Sequence, residues 1–203
     1  MPPTTADAGP RSILSPQLLW TTIGANALVV LAAFEALAVA TIMPTVAKDL
    51  HGQQLYSVAF AATLAASVIG MVVGGGWVDR TGPVKPLLAS ALIFVAGLLL
   101  SGTATAMPVF IAGRFLQGLG TGALNVVIYV IVARVYPAPL HPRIFAAFSA
   151  AWVVPSMIGP AVAGFVLQVS SWHWVFVGVA ALVVVATLTM IPALRSLRGS
   201  RPD

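Results

Sequence analysis

Six membrane-crossing helices packed as one all-α bundle are what this sequence predicts, on three observations. The chain is 59% hydrophobic and 7% charged over 203 residues, a balance that a water-soluble domain of this size does not tolerate. Its apolar residues fall into six runs of about 20 residues or more, each long enough to cross a hydrocarbon core of about 30 Å. Charges and helix breakers collect between those runs. A membrane barrel would instead read as alternating segments of about 10 residues, and an open sheet edge has no place in lipid.

The runs lie near 18–43, 55–78, 84–106, 108–133, 143–168 and 174–194. The first follows Pro16 and closes at Met43, before Pro44. The second runs from Leu55 to the charges Asp79 and Arg80, and the third opens after Gly82-Pro83. The fourth begins at Pro108 and stops at Arg134, the fifth follows Pro142, and the sixth starts at Trp174 and reaches Arg195. Pro16, Pro83, Pro108 and Pro142 thus stand at or just before four of the starts, where a missing N–H costs nothing. The first dozen residues, rich in Pro, Thr and Ala, read as a short disordered tail; residues 1–17 make up the expected cytoplasmic N-terminal tail, residues 18–194 the bundle, and residues 195–203 the start of a cytoplasmic linker. The first apolar run is too long for a cleavable signal core and reads as a full span.

Cation placement predicts the orientation. With the N-terminus inside, the inner side holds Arg11, Arg80, Lys85, Arg134, Arg143, Arg195, Arg198 and Arg201, and the outer side holds Lys48. Eight against one places both termini in the cytoplasm. Trp20 and Trp77 then fall near the inner interface, and Tyr56, Trp172 and Trp174 near the outer one, as aromatic belts do. The net charge of +5 and the isoelectric point near 10.5 reflect this topology. No basic run or basic–aromatic patch suggests nucleic acid. The absence of cysteine excludes disulfides, thiolate metal sites and a thiol nucleophile. No histidine has a second ligand nearby, so neither a metal nor a cofactor is expected, and no phosphate loop, triad order or paired carboxylates suggest an enzyme. The Ala, Gly and Val bias points to a high-GC bacterial genome, and so to a multi-pass protein of the bacterial inner membrane.

Two turn-and-helix patterns carry a family resemblance. Gly75, Asp79, Arg80 and Gly82 give Gly-x-x-x-Asp-Arg-x-Gly, followed by the cation Lys85. This resembles the loop between the second and third helices of the major facilitator superfamily. Arg114, Gln117, Gly118 and Gly120 give Arg-x-x-Gln-Gly-x-Gly, similar to that superfamily's fourth-helix signature. The resemblance spans about Leu18 to Arg195 and implies the N-terminal six-helix half of a transporter, built as an inverted 3+3 repeat. A shift of 89 residues aligns Ser67–Gly75 with Ser156–Gly164 at five identities in nine, pairing spans two and five, which cross in opposite directions.

Glu35 is the only acidic residue inside a predicted span. A carboxylate at that depth has to face the bundle interior, be paired, or be protonated. Arg114, the cation inside span four, is its natural partner: counted from the outer ends of their spans, the two differ in depth by only a few ångströms. Protonating Glu35 weakens such a pair and ionising it restores the attraction, which makes a proton-driven switch. A fixed structural clamp is the alternative. The stretch Phe34–Pro44, with its acid nine positions before a proline, also resembles the first helix of drug:proton antiporters, which implies a role in proton coupling.

Asn26, Gln117, Asn125 and Tyr129 are candidates for a polar substrate cavity, with interhelical hydrogen bonding as the competing role. The Gly-x-x-x-Gly pairs Gly70/Gly74 and Gly118/Gly122 are expected to let helices pack closely. Pro155, Gly159, Pro160 and Gly164 in span five resemble the Gly-Pro-x-x-Gly-Gly signature of exporters, with Ala163 in place of one glycine; the resemblance implies a kinked sealing element and transport outward. On the two-three turn, the resemblance implies that Asp79 and Arg80 gate the inner side, with Arg134 as a local partner for Asp79. The expected function is proton-coupled efflux of small lipophilic or drug-like compounds. Its partners are the bilayer, the substrate, protons and a second six-helix bundle. Alternatives are a half-transporter needing a second chain, a non-transporting assembly partner, and a six-span channel, the last disfavoured by the lack of a polar filter.

Overall fold

The structure, a computed structural model, describes residues 12–199, with side chains as far as residue 191; the tail residues before Ser12 and the linker residues after Gly199 lie outside it. Six helices follow one another: α1 (Leu19–Asp49), α2 (Tyr56–Thr81), α3 (Val84–Gly102), α4 (Met107–Val135), α5 (His141–Val169) and α6 (His173–Gly199). All six are long and apolar enough to cross a membrane.

The turns follow from local chemistry. α2 ends at Gly82, whose φ of +75° is open to glycine, and Pro83 caps α3. Pro108 and Pro142 sit in the first turns of α4 and α5. α1 departs from expectation: it passes through Pro44 and ends five residues later at Asp49. Its close is a Schellman motif, with His51 in the left-handed region at φ +49°, His51 N–H bonded to the Lys48 carbonyl and Gly52 N–H to the Ala47 carbonyl at 2.8 Å. Gly52 packs so tightly on Met107 that a side chain there would overlap it. α6 likewise runs on through the residues expected to begin a linker.

The helices interleave. α4 packs chiefly against α2 and α3, while α1 packs chiefly against α5 and α6, and α3 meets α6. Exchanging the first three helices for the last three reproduces the same contact pattern, as a two-fold repeat requires. With three spans per unit, the second unit starts on the opposite side of the bundle, so the repeat is inverted.

The α2–α4 seam shows how composition sets this geometry. Gly118 and Gly122 lie directly against the backbone carbonyls of Thr63 and Ser67, where any Cβ would collide. Gly70 and Gly74 face Leu119 and Ala123 in return. The two Gly-x-x-x-Gly pairs therefore mesh, bringing the backbones close enough for dispersion to hold the helices in the absence of a hydrophobic driving force. The outer surface is apolar: Leu64, Val72 and Met157 are 69%, 72% and 77% exposed, an arrangement suited to lipid or another bundle and not to water.

Trp172 is not the interfacial anchor expected of it. It is buried at 2% exposure, meets Phe110 and Phe176 edge-on, and donates its indole N–H to Asp49 Oδ2 at 3.0 Å. The α1 extension to Asp49 supplies that acceptor, and a buried indole needs one. Trp20 and Trp174 are exposed, at 52% and 61%.

Candidate functional site

The site begins at the middle of α1. Glu35 is buried among apolar neighbours, and Arg114 of α4 reaches it: Arg114 Nη1 donates to Glu35 Oε1. Their side chains are 5% and 4% exposed. Among the described residues this is the ion pair that forms within 4.0 Å. The same Nη1 donates to Gln117 Oε1 at 2.5 Å, since a spacing of three places both residues on one face of α4. Low dielectric makes such a pair strong while intact and costly once one member is removed.

The expected cavity residues divide. Gln117 is fully buried and belongs to the ion pair. Asn26 gives its amide to the Thr22 carbonyl of its own helix at 2.9 Å. Asn125 and Tyr129 line an open cleft of about 230 Å³ with Val29, Phe145, Phe148 and Trp152, and a neighbouring cleft of about 650 Å³ shares Asn125, Tyr129 and Trp152. Tyr129 stacks on Phe145 with centroids 5.4 Å apart and meets Phe148 edge-on at 6.0 Å. Sequence reasoning missed the α5 wall, although Phe145, Phe148 and Trp152 recur at steps of three and four, the signature of one helix face.

The fifth-helix residues sit beside α1. Pro155 and Pro160 lie inside α5 without ending it, and Gly159 faces Phe34 and Leu37, which flank Glu35; a methyl there would meet them at 3.6 and 3.7 Å. Gly164 has open space around it. At the α2–α3 turn, Asp79, Arg80, Lys85 and Arg134 are all exposed, with Gly75 half-buried one turn before Asp79. Among the described residues Asp79 and Arg134 form no ion pair. A side chain added at Gly82 would lie 3.8 Å from Arg134 Nη1, which places that guanidinium over the turn itself.

Two further polar contacts tie α1 to the second triplet. One is the Trp172–Asp49 bond at its end. The other is at its start, where Thr22 Oγ1 donates to the Ile13 carbonyl at 2.6 Å and lies 2.7 Å from Tyr136 Oη. A hydroxyl has one hydrogen to give, so Tyr136 is the donor to Thr22.

Interleaved, inverted helix triplets around a buried acid–base pair define a membrane transporter bundle. The Major Facilitator Superfamily model matches residues 25–202, and the chain belongs to that family. It is 29% identical over 146 residues, 72% of its length, to the multidrug efflux pump SdrM of Staphylococcus aureus. It is 31% identical over 201 residues, 95% of its length, to an uncharacterized MFS-type transporter of Mycobacterium tuberculosis, and 28% identical over 148 residues, 73% of its length, to multidrug resistance protein 3 of Bacillus subtilis. The chain spans 33%, 29% and 29% of those proteins. Among solved structures it superposes on the crystal structure of a D-xylose-proton symporter with a TM-score of 0.76 at 15% identity, covering 90% of this chain and 52% of that one; this likeness concerns the fold.

Proposed function

We propose that the chain is the N-terminal six-helix half of a proton-coupled secondary transporter that exports small lipophilic compounds across a bacterial cell membrane. The observation that carries this reading is the buried Glu35–Arg114 pair: an intramembrane acid held by one cation is a two-state element that a proton can toggle. The aromatic cleft of Tyr129, Phe145, Phe148 and Trp152 offers ring faces and little charge, which suits lipophilic cargo. Export is favoured by relatives that carry the names multidrug efflux pump and multidrug resistance protein. A second six-helix bundle, in the same polypeptide or another, covers the open face and provides the surface against which this half rocks. Both termini and the Asp79–Lys85 turn face the cytoplasm, where Asp79, Arg80 and Arg134 gate the inner side and the Pro155–Gly164 stretch seals the bundle against leak.

Glu35→Gln tests the reading in the assembled transporter, because it removes the titrating group with little change of shape. Substrate movement driven by a pH gradient is expected to fall to background while expression is kept. Gradient-driven transport at the normal rate would show that Glu35 is not the proton carrier.

A further inference from the structure

We infer that Gln117 is a positioning residue for the coupling pair, its side-chain carbonyl holding Arg114 while Glu35 is ionised and accepting the Glu35 O–H once Glu35 is protonated. The inference rests on the coupling reading above and adds a third member to it. Arg114 Nη1 donates to Glu35 Oε1 and to Gln117 Oε1 at once, so the two oxygens share a single nitrogen. Gln117 is 0% exposed, and its Nε2 finds no partner, as is true of Arg114 Nε. An unmade bond at a buried donor is costly. A glutamine present merely to satisfy itself would not leave its amide idle while its oxygen is committed to an arginine. The stem is also confined: a Cβ on Gly97 of α3 would come within 2.9 Å of Gln117 Cγ, so α3 packs closely on its base.

Two states follow. With Glu35 ionised, Arg114 has two acceptors. When a proton binds Glu35, an O–H bond forms on the carboxyl, the Nη1 contact loses the acceptor's negative charge, and the new O–H needs an acceptor in a place without water. Gln117 Oε1, held on the same nitrogen, takes that role by a small rotation of its amide and continues to hold the guanidinium, which cannot lose its own charge. Other titratable or charged groups on the surrounding helices sit elsewhere among the described residues. Tyr129 is about 22 Å further along α4, Arg134 ends that helix, His141 and Arg143 open α5, His173 opens α6, and Lys48 and Asp49 close α1.

Infrared spectroscopy of this chain in liposomes over a pH series tests the assignment without requiring transport. The carboxyl C=O stretch of protonated Glu35 is isolated from the other acids, five in all with Glu35, by subtracting the Glu35→Gln spectrum. Gln117→Met keeps the volume and removes the acceptor; the Glu35 band is expected to move to higher wavenumber, as for a carboxyl without a hydrogen-bond acceptor, and its titration midpoint to move by about one pH unit, the equivalent of one hydrogen bond. Gln117→Glu keeps the shape but offers Arg114 a carboxylate on its own helix, and should move the midpoint upward, opposite to the downward move expected when the neutral form loses its acceptor in the Met variant, a result readable even if the Met variant fails to fold. Unchanged band and midpoint in the folded Gln117 variants, or shifts in the same sense, overturn the role of Gln117 alone. A Glu35 band absent at every pH would instead remove the coupling reading on which it rests.

Discussion

Removing the two members of the central pair singly and together is the sharpest test of what holds α1 to α4. Both side chains are 4–5% exposed, so neither lost charge can be replaced by water. Glu35→Met leaves a guanidinium that cannot deprotonate, with Gln117 Oε1 as its remaining partner; breaking a buried pair this way costs roughly 3–5 kcal/mol. Arg114→Met leaves a carboxyl, which can take up a proton and become neutral. Its cost should therefore be smaller and should shrink further as pH falls. With both residues replaced by methionine, no charge remains buried, and stability is expected within about 1 kcal/mol of the parent or above it, as for other buried pairs exchanged for apolar side chains. The cycle then closes with a coupling energy of roughly 3 kcal/mol or more, well beyond the average of about 0.6 kcal/mol for interhelical hydrogen bonds in membranes. The assay is thermal unfolding of the purified chain in detergent at two pH values. Additive single-mutant effects, or an Arg114→Met variant as unstable as Glu35→Met at low pH, would refute the contact or the asymmetry respectively.

Other expectations are quickly stated. Cysteines placed at Thr81 and His141 should react with a membrane-impermeant reagent only from the cytoplasm, and one at His51 only from outside; reversed labelling would overturn the orientation. Gly122→Ala sets a methyl 2.7 Å from the Ser67 carbonyl carbon, an overpacking worth about 1–3 kcal/mol, whereas Gly164→Ala meets nothing within 4 Å and should be neutral or stabilising; equal effects would show that the α2–α4 seam is not that tight. Burial raises the Tyr136 phenol above its ordinary value of 10.0. The folded state thus keeps that proton at pH values where the unfolded chain has released it, and stability should decline as pH climbs past about 10. Tyr136→Phe should abolish that share of the decline, and an unchanged profile would contradict it.

The spans were legible because the membrane forces every backbone group into a helix, leaving length and punctuation to be read. The Glu35–Arg114 contact was legible for a chemical reason more than a geometric one. The depth count started at Met43, and α1 in fact continues to Asp49, so the agreement owes more to a buried acid needing a buried cation. The extension was hidden by Pro44, read as a stop, though a proline ring in a membrane helix removes one hydrogen bond that neighbours can replace. Trp172 was misplaced because an indole near a helix end reads the same whether it faces headgroups or an Asp49 carboxylate. The aromatic wall of α5 was overlooked because ring-rich helix faces in a membrane usually meet lipid, and only the packing of α5 on α1 turns that face toward Tyr129.

The interleaving of the two triplets also dictates an order of assembly. When α4 enters the bilayer, α2 and α3 are already there, with glycine-lined grooves ready to receive it. α1 is differently placed: it ends at Asp49, while its main partners begin at His141 and His173. During synthesis it therefore stands in lipid with its eventual α5 and α6 faces uncovered, and Glu35 has no arginine until α4 arrives. An unpaired carboxylate in that position is costly. The contact at the centre of the finished bundle is thus completed late, once the fourth helix has brought its guanidinium across.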